Sequence, residues 1–352
     1  MNSKSKNIVI YRLGALGDTV VSLPSLRLVA KAFPYSKRFL LTNFSNNKKE
    51  AHIGSVLDGT GLVHGYIEYP IGLRNPLELL KLIRRIRLAR ANILVYLAEP
   101  RGILRTIRDY IFFKLCGFKK IIGAPLTKDM QNIRQINKDL YEYEGERLAR
   151  CINILGDART QDIASYNLNI TNNESMTAGA ILNEVSGKFV IAASIGAKVS
   201  VKDWGDDRWE MLLDKLALSN LNAVLVMLGS LDEYERSKNL ARSWEGRFIN
   251  LCGRTDVRIS AAVLNKCDIY IGHDSGPMHL AAAVGVPCVT IFSSRNLPGE
   301  WFPCGKGHHV IYKSIDCQGC KRDTCFDRKK SCIRGITVDE VENAIYAVLK
   351  KT

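Results

Sequence analysis

The run Asp274-Ser275-Gly276-Pro277-Met278-His279 sets a carboxylate, a hydroxyl and an imidazole within six positions. A buried-strand pattern at 267–271 precedes it, and the small apolar run Leu280-Ala281-Ala282-Ala283 that follows suits a tightly packed helix. A strand end that feeds a helix N-terminus presents backbone N–H groups to a ligand, and phosphate binds well there. Gly276 lets that ligand approach the backbone. The plainer alternative is a capped helix with Asp274 or Ser275 as N-cap and His279 packed in the core.

Two further turns share this design. Arg12-Leu-Gly14-Ala-Leu-Gly17-Asp18 lies between a strand and a helix. It is not a dinucleotide fingerprint, because the third glycine is missing and no acidic residue ends the second strand at Thr42. Asp18 is either an N-cap or a carboxylate that takes a proton from an attacking hydroxyl. Ser194-Ile-Gly196-Ala197-Lys198 is followed by Lys202-Asp-Trp204 and Arg208-Trp209. Lysines at such a strand end can stabilise a departing diphosphate without a metal. Trp204 and Trp209 either pack the helix or stack on a base. In Leu228-Gly229-Ser230-Leu231-Asp232-Glu233, the carboxylates either accept hydrogen bonds from sugar hydroxyls or favour the next helix N-terminus.

The fourth cluster is Cys317-x2-Cys320-x4-Cys325-x6-Cys332. Four thiols so close suit one tetrahedral metal site, with zinc as the default and iron as the other choice. Free or redox-active thiols and disulfides are the alternatives. A four-thiolate site leaves no open ligand position, so its role would be structural. Lys321, Arg322, Arg328, Lys329 and Lys330 surround it within reach of acceptor phosphates. Cys116, Cys151, Cys252, Cys267 and Cys288 sit in apolar surroundings and read as core residues.

Strands and helices alternate around these motifs, which predicts parallel sheets with helices on both faces. In the first half, strands are expected at 7–12, 39–42, 92–97 and 120–123. Helices are expected at 20–32, 76–89 and 103–116, and a polar helical stretch at 128–150. Residues 157–173 lead into an interdomain linker. In the second half, helices at 174–185, 208–218, 234–243 and 260–264 alternate with strands at 188–194, 223–228, 248–250, 267–271 and 288–291. Two such halves place strand C-termini at a shared crevice.

A chain of 352 residues suffices for two domains. No apolar run reaches bilayer-spanning length, and no signal-peptide pattern opens the sequence, so a cytoplasmic location is expected. The net charge of +15 is uneven: residues 1–175 hold 27 Lys/Arg against 15 Asp/Glu, a net of +12. Lys81, Arg84, Arg85, Arg87 and Arg90 interleave with Leu79, Leu80, Leu82, Ile83 and Ile86 on an amphipathic helix. This is either a solvated face or a contact with an anionic membrane. Nucleic acid is not expected, because no aromatics interleave and no binding motif is present.

Taken in order, Gly14-x-x-Gly17-Asp18 with Pro24, Gly196-Ala197 with Lys202-x-Trp204, Gly229-x-x-x-Glu233 and Asp274-Ser-Gly-Pro-Met-His279-Leu-Ala-Ala-Ala resemble glycosyltransferase family 9, the lipopolysaccharide heptosyltransferases and their relatives. The resemblance runs from about residue 7 to about residue 348. It implies an α/β GT-B fold of two Rossmann-like domains facing a crevice, an acceptor-binding domain at 1–173 and a nucleotide-sugar-binding domain at 174–352. It further implies inverting transfer without a catalytic metal, from ADP-heptose or another ADP-sugar to an anionic glycolipid or surface-glycan acceptor, with peripheral inner-membrane contact.

Asp18 matches the family's base and Lys202 its donor-phosphate lysine. Gly196, Ala197, Lys198, Glu233, Asp274, Ser275, Gly276 and His279 fall on the donor side; Gly14, Gly17 and Arg101 fall on the acceptor side. Three departures stand out. Ser275 replaces the usual Thr and keeps the hydroxyl. The acidic ribose ligand falls near Leu231 or Asp232, with Glu233 nearby. Segment 293–303 differs from the well-studied heptosyltransferases, which bears on heptose more than on sugar transfer. The rival readings are a nucleotide-sugar epimerase of the same fold and a non-enzymatic polyanion-binding protein.

Overall fold

A computed structural model describes residues 7–44, 53–70, 72, 75–219 and 222–350. It divides into two compact units, Met1–Asn169 and Ile170–Thr352, four residues upstream of the expected boundary.

In the first unit, β1 (Asn7–Tyr11) leads to α1 (Leu16–Val21) and α2 (Leu23–Ala32), then to β2 (Arg38–Thr42) and β3 (Gly65–Glu68). Next come α3 (Pro76–Leu88), β4 (Ala91–Tyr96), α4 (Ile103–Leu115) and β5 (Lys120–Ile122). The strands form one parallel sheet in the order β3-β2-β1-β4-β5. Strand side chains alternate between faces. Val9, Tyr11, Leu41, Leu94 and Tyr96 therefore share one face, where Leu82 and Ile86 of α3 and Phe113 of α4 cover them. Ile8 and Ile10 on the opposite face are equally buried, as expected for a parallel sheet covered on both sides.

Two expectations need correction here. The single helix expected at 20–32 is two helices that meet at Ser22, and the first begins at Leu16. The helical stretch expected at 128–150 is instead α5 (Lys128–Gln131), a small antiparallel hairpin of β6 (Gln135–Asn137) and β7 (Leu140–Tyr141), and α6 (Glu144–Cys151). Glu142 closes this region by accepting from Arg134 N and from Arg150 Nε and Nη2.

α6 buries an ion pair. Glu144 and Arg147 are 2% and 1% exposed and form a bidentate pair, Nε and Nη2 each donating to a carboxylate oxygen at 2.7 Å. Arg147 also donates to Met130 O and Ala98 O, which ties α6 to the segment after β4. Removing one partner strands a buried charge. Glu144→Ala should therefore cost about 3–5 kcal/mol in urea unfolding. A loss below ~1 kcal/mol would mean that the guanidinium finds water.

The second unit holds α7 (Asn172–Ile181), β8 (Val190–Ser194), α8 (Asp206–Leu218), β9 (Val224–Met227), α9 (Tyr234–Leu240), β10 (Phe248–Asn250), α10 (Val257–Leu264) and β11 (Ile269–His273). It continues through α11 (Gly276–Ala283), β12 (Cys288–Phe292), β13 (His309–Tyr312), α12 (Ser331–Arg334) and α13 (Val338–Leu349). Its parallel sheet runs β10-β9-β8-β11-β12-β13. β3, β13 and α13 lie where no element is expected from the sequence. Thr337 and Glu340 form a capping box at the start of α13, and Val341 and Ile345 seal it into the core.

Each sheet reverses its strand order once, between β1 and β4 and between β8 and β11. In open α/β sheets, ligands collect beyond the strand C-termini at such a reversal. The turns after β1, β8 and β11 lie at these two points, and the Gly229–Glu233 turn follows β9, next to β8.

Candidate functional site

In the first unit, the turn after β1 folds back on itself. Gly14 has φ +145°, and a Cβ there would lie 2.6 Å from Asp18 Cβ and Cγ. Glycine thus makes room for the Asp18 side chain. The N-cap of α1 is Ala15, so Asp18 is not the cap; it lies three residues in, and its Oδ2 accepts from Ala15 N at 2.6 Å. Buried Arg12 donates to Asp18 O at 2.6 Å and stands 3.5 Å from Oδ1. Its other Nη reaches Leu97 O after β4. The Asp18 side chain keeps 18% of its surface. Gly14 is pinned from β2's side by Asn43, which both accepts from its N–H and donates to its carbonyl. Gly17 lies within α1.

Arg101, after β4, donates to Asp109 Oδ2 at 2.5 Å and to Tyr11 Oη at 2.9 Å. Tyr96 Oη donates to the same carboxylate at 3.1 Å. The Arg101 side chain is held through Nη2 and keeps 31% of its surface. Asp18 and Arg101 thus follow the two strands at the reversal point of this sheet.

In the second unit, Lys202 lies 2.6 Å from Asp274 Oδ2 and donates to Asp274 O at 3.3 Å. Asn296 Nδ2 donates to the same carboxylate at 3.2 Å, and His279 Nε2 lies 4.0 Å from Oδ1. His279 is buried with its ring edge-on to Trp301. Ser275 occupies the N-cap position of α11 in extended conformation without a side-chain capping bond, and its hydroxyl lies near the Tyr270 hydroxyl. Gly276 opens the helix, with Pro277 in its first turn. Gly196 is buried, Ala197 half-buried and Lys198 exposed.

Glu233 lies between the other two glycine turns. A Cβ on Gly196 or on Gly229 would overlap its carboxylate. Ser230 N donates to Glu233 Oε2 at 3.0 Å, and burial raises the carboxyl above its usual range.

His273 is a site residue that the sequence motifs did not single out. It is fully buried at the end of β11. Its Nε2 accepts from Trp204 N at 3.2 Å and Trp209 Nε1 at 3.3 Å, and Nδ1 faces Gly196 O at 3.4 Å. Two donors on Nε2 require a neutral ring with its proton on Nδ1. The imidazole thus joins the Gly196 turn to the Lys202 turn. Trp204 and Trp209 are fully buried and edge-on to each other, so they pack rather than stack on a base.

Burial lowers the His273 pKa from 6.5 to about 4. Between those values the unfolded chain takes up a proton that the folded ring refuses. Stability should therefore fall as pH drops from 6.5 towards 4, and His273→Gln should flatten that slope in melting curves. Parallel curves for the two proteins would remove His273 as the cause.

Asn296 was also missed, and Lys321, read only as one of the cations around the cysteines, lies beside it. Lys321 pairs with Glu300 and donates to Asn296 Oδ1, so the cysteine-rich segment reaches the neighbourhood of Asp274. The same segment supports the Lys202 turn, since Val201 N and Ser200 Oγ both donate to Asp323 O. Cys317, Cys320 and Cys325 are half-buried and Cys332 is buried; none forms a disulfide. Burial raises the Cys332 thiol, and the Cys317 and Cys325 thiols raise it further. Among the described residues, no three His, Cys, Asp or Glu side chains converge closely enough to hold a metal ion. The five cysteines read as core residues are buried.

Residues 157–330 match glycosyltransferase family 9 (heptosyltransferase). Lipooligosaccharide heptosyltransferase 2 of Campylobacter jejuni is 23% identical over 171 residues, 47% of this chain and 53% of that protein. The chain thus aligns with about half the length of this curated relative. A family 9 glycosyl transferase structure from Veillonella parvula superimposes with TM-score 0.74 and 19% identity, covering 100% of this chain and 99% of that one. The E. coli ADP-heptose lipopolysaccharide heptosyltransferase II structure gives 0.66 and 18%, covering 98% and 99%. These likenesses bear out the expected GT-B fold.

Proposed function

The chain belongs to glycosyltransferase family 9 through residues 157–330, and from this we propose that it is an inverting glycosyltransferase. It moves a sugar, heptose in the first instance, from an ADP-sugar to a lipopolysaccharide-type or other surface-glycan acceptor on the cytoplasmic side of the membrane. Among the described residues, no helix is long and apolar enough to cross that membrane. The observation that carries the proposal is the meeting of Lys202 with the Asp274 turn at the strand reversal of the second sheet. A cation and a helix N-terminus together favour a diphosphate.

Asp18 accepts the proton of the acceptor hydroxyl as its oxygen attacks the anomeric carbon from the face opposite the nucleotide. The C–O bond to the diphosphate breaks, and the electron pair leaves with ADP. Lys202 and the N–H groups at the start of α11 stabilise that charge. Glu233, at the mouth of two glycine turns, accepts hydrogen bonds from ribose hydroxyls. Arg101, bonded to Tyr11 of β1, and the Gly14–Gly17 turn that follows β1 hold the anionic acceptor. On their spacing in the sequence we assign Cys317, Cys320, Cys325 and Cys332 to a structural zinc or iron, which would have to draw together thiols that do not converge among the described residues. Elemental analysis of purified protein checks this: one metal per chain is expected, and a metal-free chain with intact donor binding refutes it.

The functional test offers ADP-heptose, UDP-sugars and GDP-sugars to the purified protein and reads thermal shift and nucleotide release. Selective stabilisation by ADP-heptose or ADP, with slow ADP release, is the expected result. A response to another nucleotide sugar alone discards heptose. No response to any donor, together with salt-sensitive binding to unrelated polyanions, discards the enzyme.

A further inference from the structure

The outer faces of α3 and α4 have no covering element among the described residues. Leu77, Leu79, Leu80 and Leu88 of α3, and Leu104, Ile107, Ile111 and Leu115 of α4, are all exposed. They make up eight of the eighteen large exposed apolar residues described, on only two helices, so the patch is not ordinary surface scatter. Leu104, Ile107, Ile111 and Leu115 follow helical spacing and share one side of α4. Both helices cover the same sheet face, with Leu82 and Ile86 of α3 and Phe113 of α4 in one core. Arg87 Nη2 donates to Leu115 O at 2.9 Å and ties their C-terminal turns together. Leu77, Leu80 and Leu88, on the side of α3 opposite Leu82 and Ile86, therefore belong to one surface with the stripe of α4.

The charge on this surface has one sign. The helices carry seven Lys/Arg, namely Lys81, Arg84, Arg85, Arg87, Arg105, Arg108 and Lys114, all exposed, against only Glu78 and Asp109. Both acids are already paired: Glu78 with Lys81, and buried Asp109 with Arg101 and Arg108. Long cationic stems that border exposed leucines suit a boundary where acyl chains meet phosphate headgroups. A second copy of the same surface would place seven cations against seven.

We propose that α3 and α4 form a docking face for an anionic lipid bilayer. The leucines and isoleucines enter the acyl boundary, and the arginines and lysines hold headgroup phosphates. The face does not depend on which sugar is moved, and its test needs no donor.

The full chain is sedimented with phosphatidylglycerol vesicles and with phosphatidylcholine vesicles, at low and high salt. Binding to the anionic vesicles, weakened by salt, is expected. Ile107→Asp with Ile111→Asp, and separately Arg84→Gln with Arg105→Gln, should each reduce partitioning roughly tenfold or more. All four positions are exposed, so melting temperatures should hold. Absence of binding to phosphatidylglycerol overturns the proposal, as does unchanged partitioning of both variants. If the apolar variant instead converts an oligomer to a monomer on size exclusion and leaves lipid binding intact, the face belongs to a second copy and the proposal fails.

Discussion

Asp18→Asn should lower kcat by about a thousandfold and leave ADP-sugar affinity within roughly twofold of wild type. The substitution removes the proton acceptor while keeping shape and one carbonyl-type oxygen. That oxygen can still accept from Ala15 N, the bond the carboxylate makes at 2.6 Å. Gly14 still leaves the space into which the side chain folds. The turn should therefore survive, and the loss should fall on chemistry. The check is a steady-state comparison with a donor titration and a melting curve. Lost donor affinity, or a fall of several degrees in melting temperature, would make Asp18 a structural residue that holds Arg12 and the turn.

Lys202→Met should lower kcat/KM by about a hundredfold or more, because it removes the ammonium that offsets the charge building on the departing diphosphate. This variant carries a second effect. Asp274 is 5% exposed and loses its closest cation, so some stability goes with the activity. Combining Lys202→Met with Asp274→Asn removes the stranded charge. The pair should regain melting temperature over the single variant without regaining turnover. If the double variant recovers both, the lysine served only to neutralise Asp274. An unchanged kcat/KM in the single variant would remove Lys202 from the proposed mechanism altogether.

The sequence made the strand–turn–helix junctions legible because each joins a short apolar run to a glycine turn. Asp18, Lys202 and Asp274 all lie at such junctions, and the strand reversals locate them in the fold. Region 128–150 was misread for a physical reason. α6 buries Glu144 and Arg147 beside Leu148 and Cys151, so its inward face does not look apolar. The hairpin before it is held by Arg134 and Arg150 on Glu142 rather than by alternating apolar residues. α13 did carry a readable signal, Thr337-x-x-Glu340 ahead of Val341 and Ile345, which was overlooked. Asn296 gave none: it meets Asp274 across 22 positions, and only the packing of the segment after β12 brings the two together. His273 was visible, but its role depends on Trp204 and Trp209, more than sixty residues upstream.

The contact between Lys202 and Asp274 shapes the proposed catalytic cycle from its first step. The ammonium does not wait bare for a nucleotide; it already has an anion at 2.6 Å. Capture of a diphosphate is then a counter-ion exchange, and its free energy is the difference between two pairings. ADP departs by the reverse exchange, in which the carboxylate takes the lysine back. A site built this way holds its nucleotide less tightly than its charge suggests and empties without leaving a cation uncompensated.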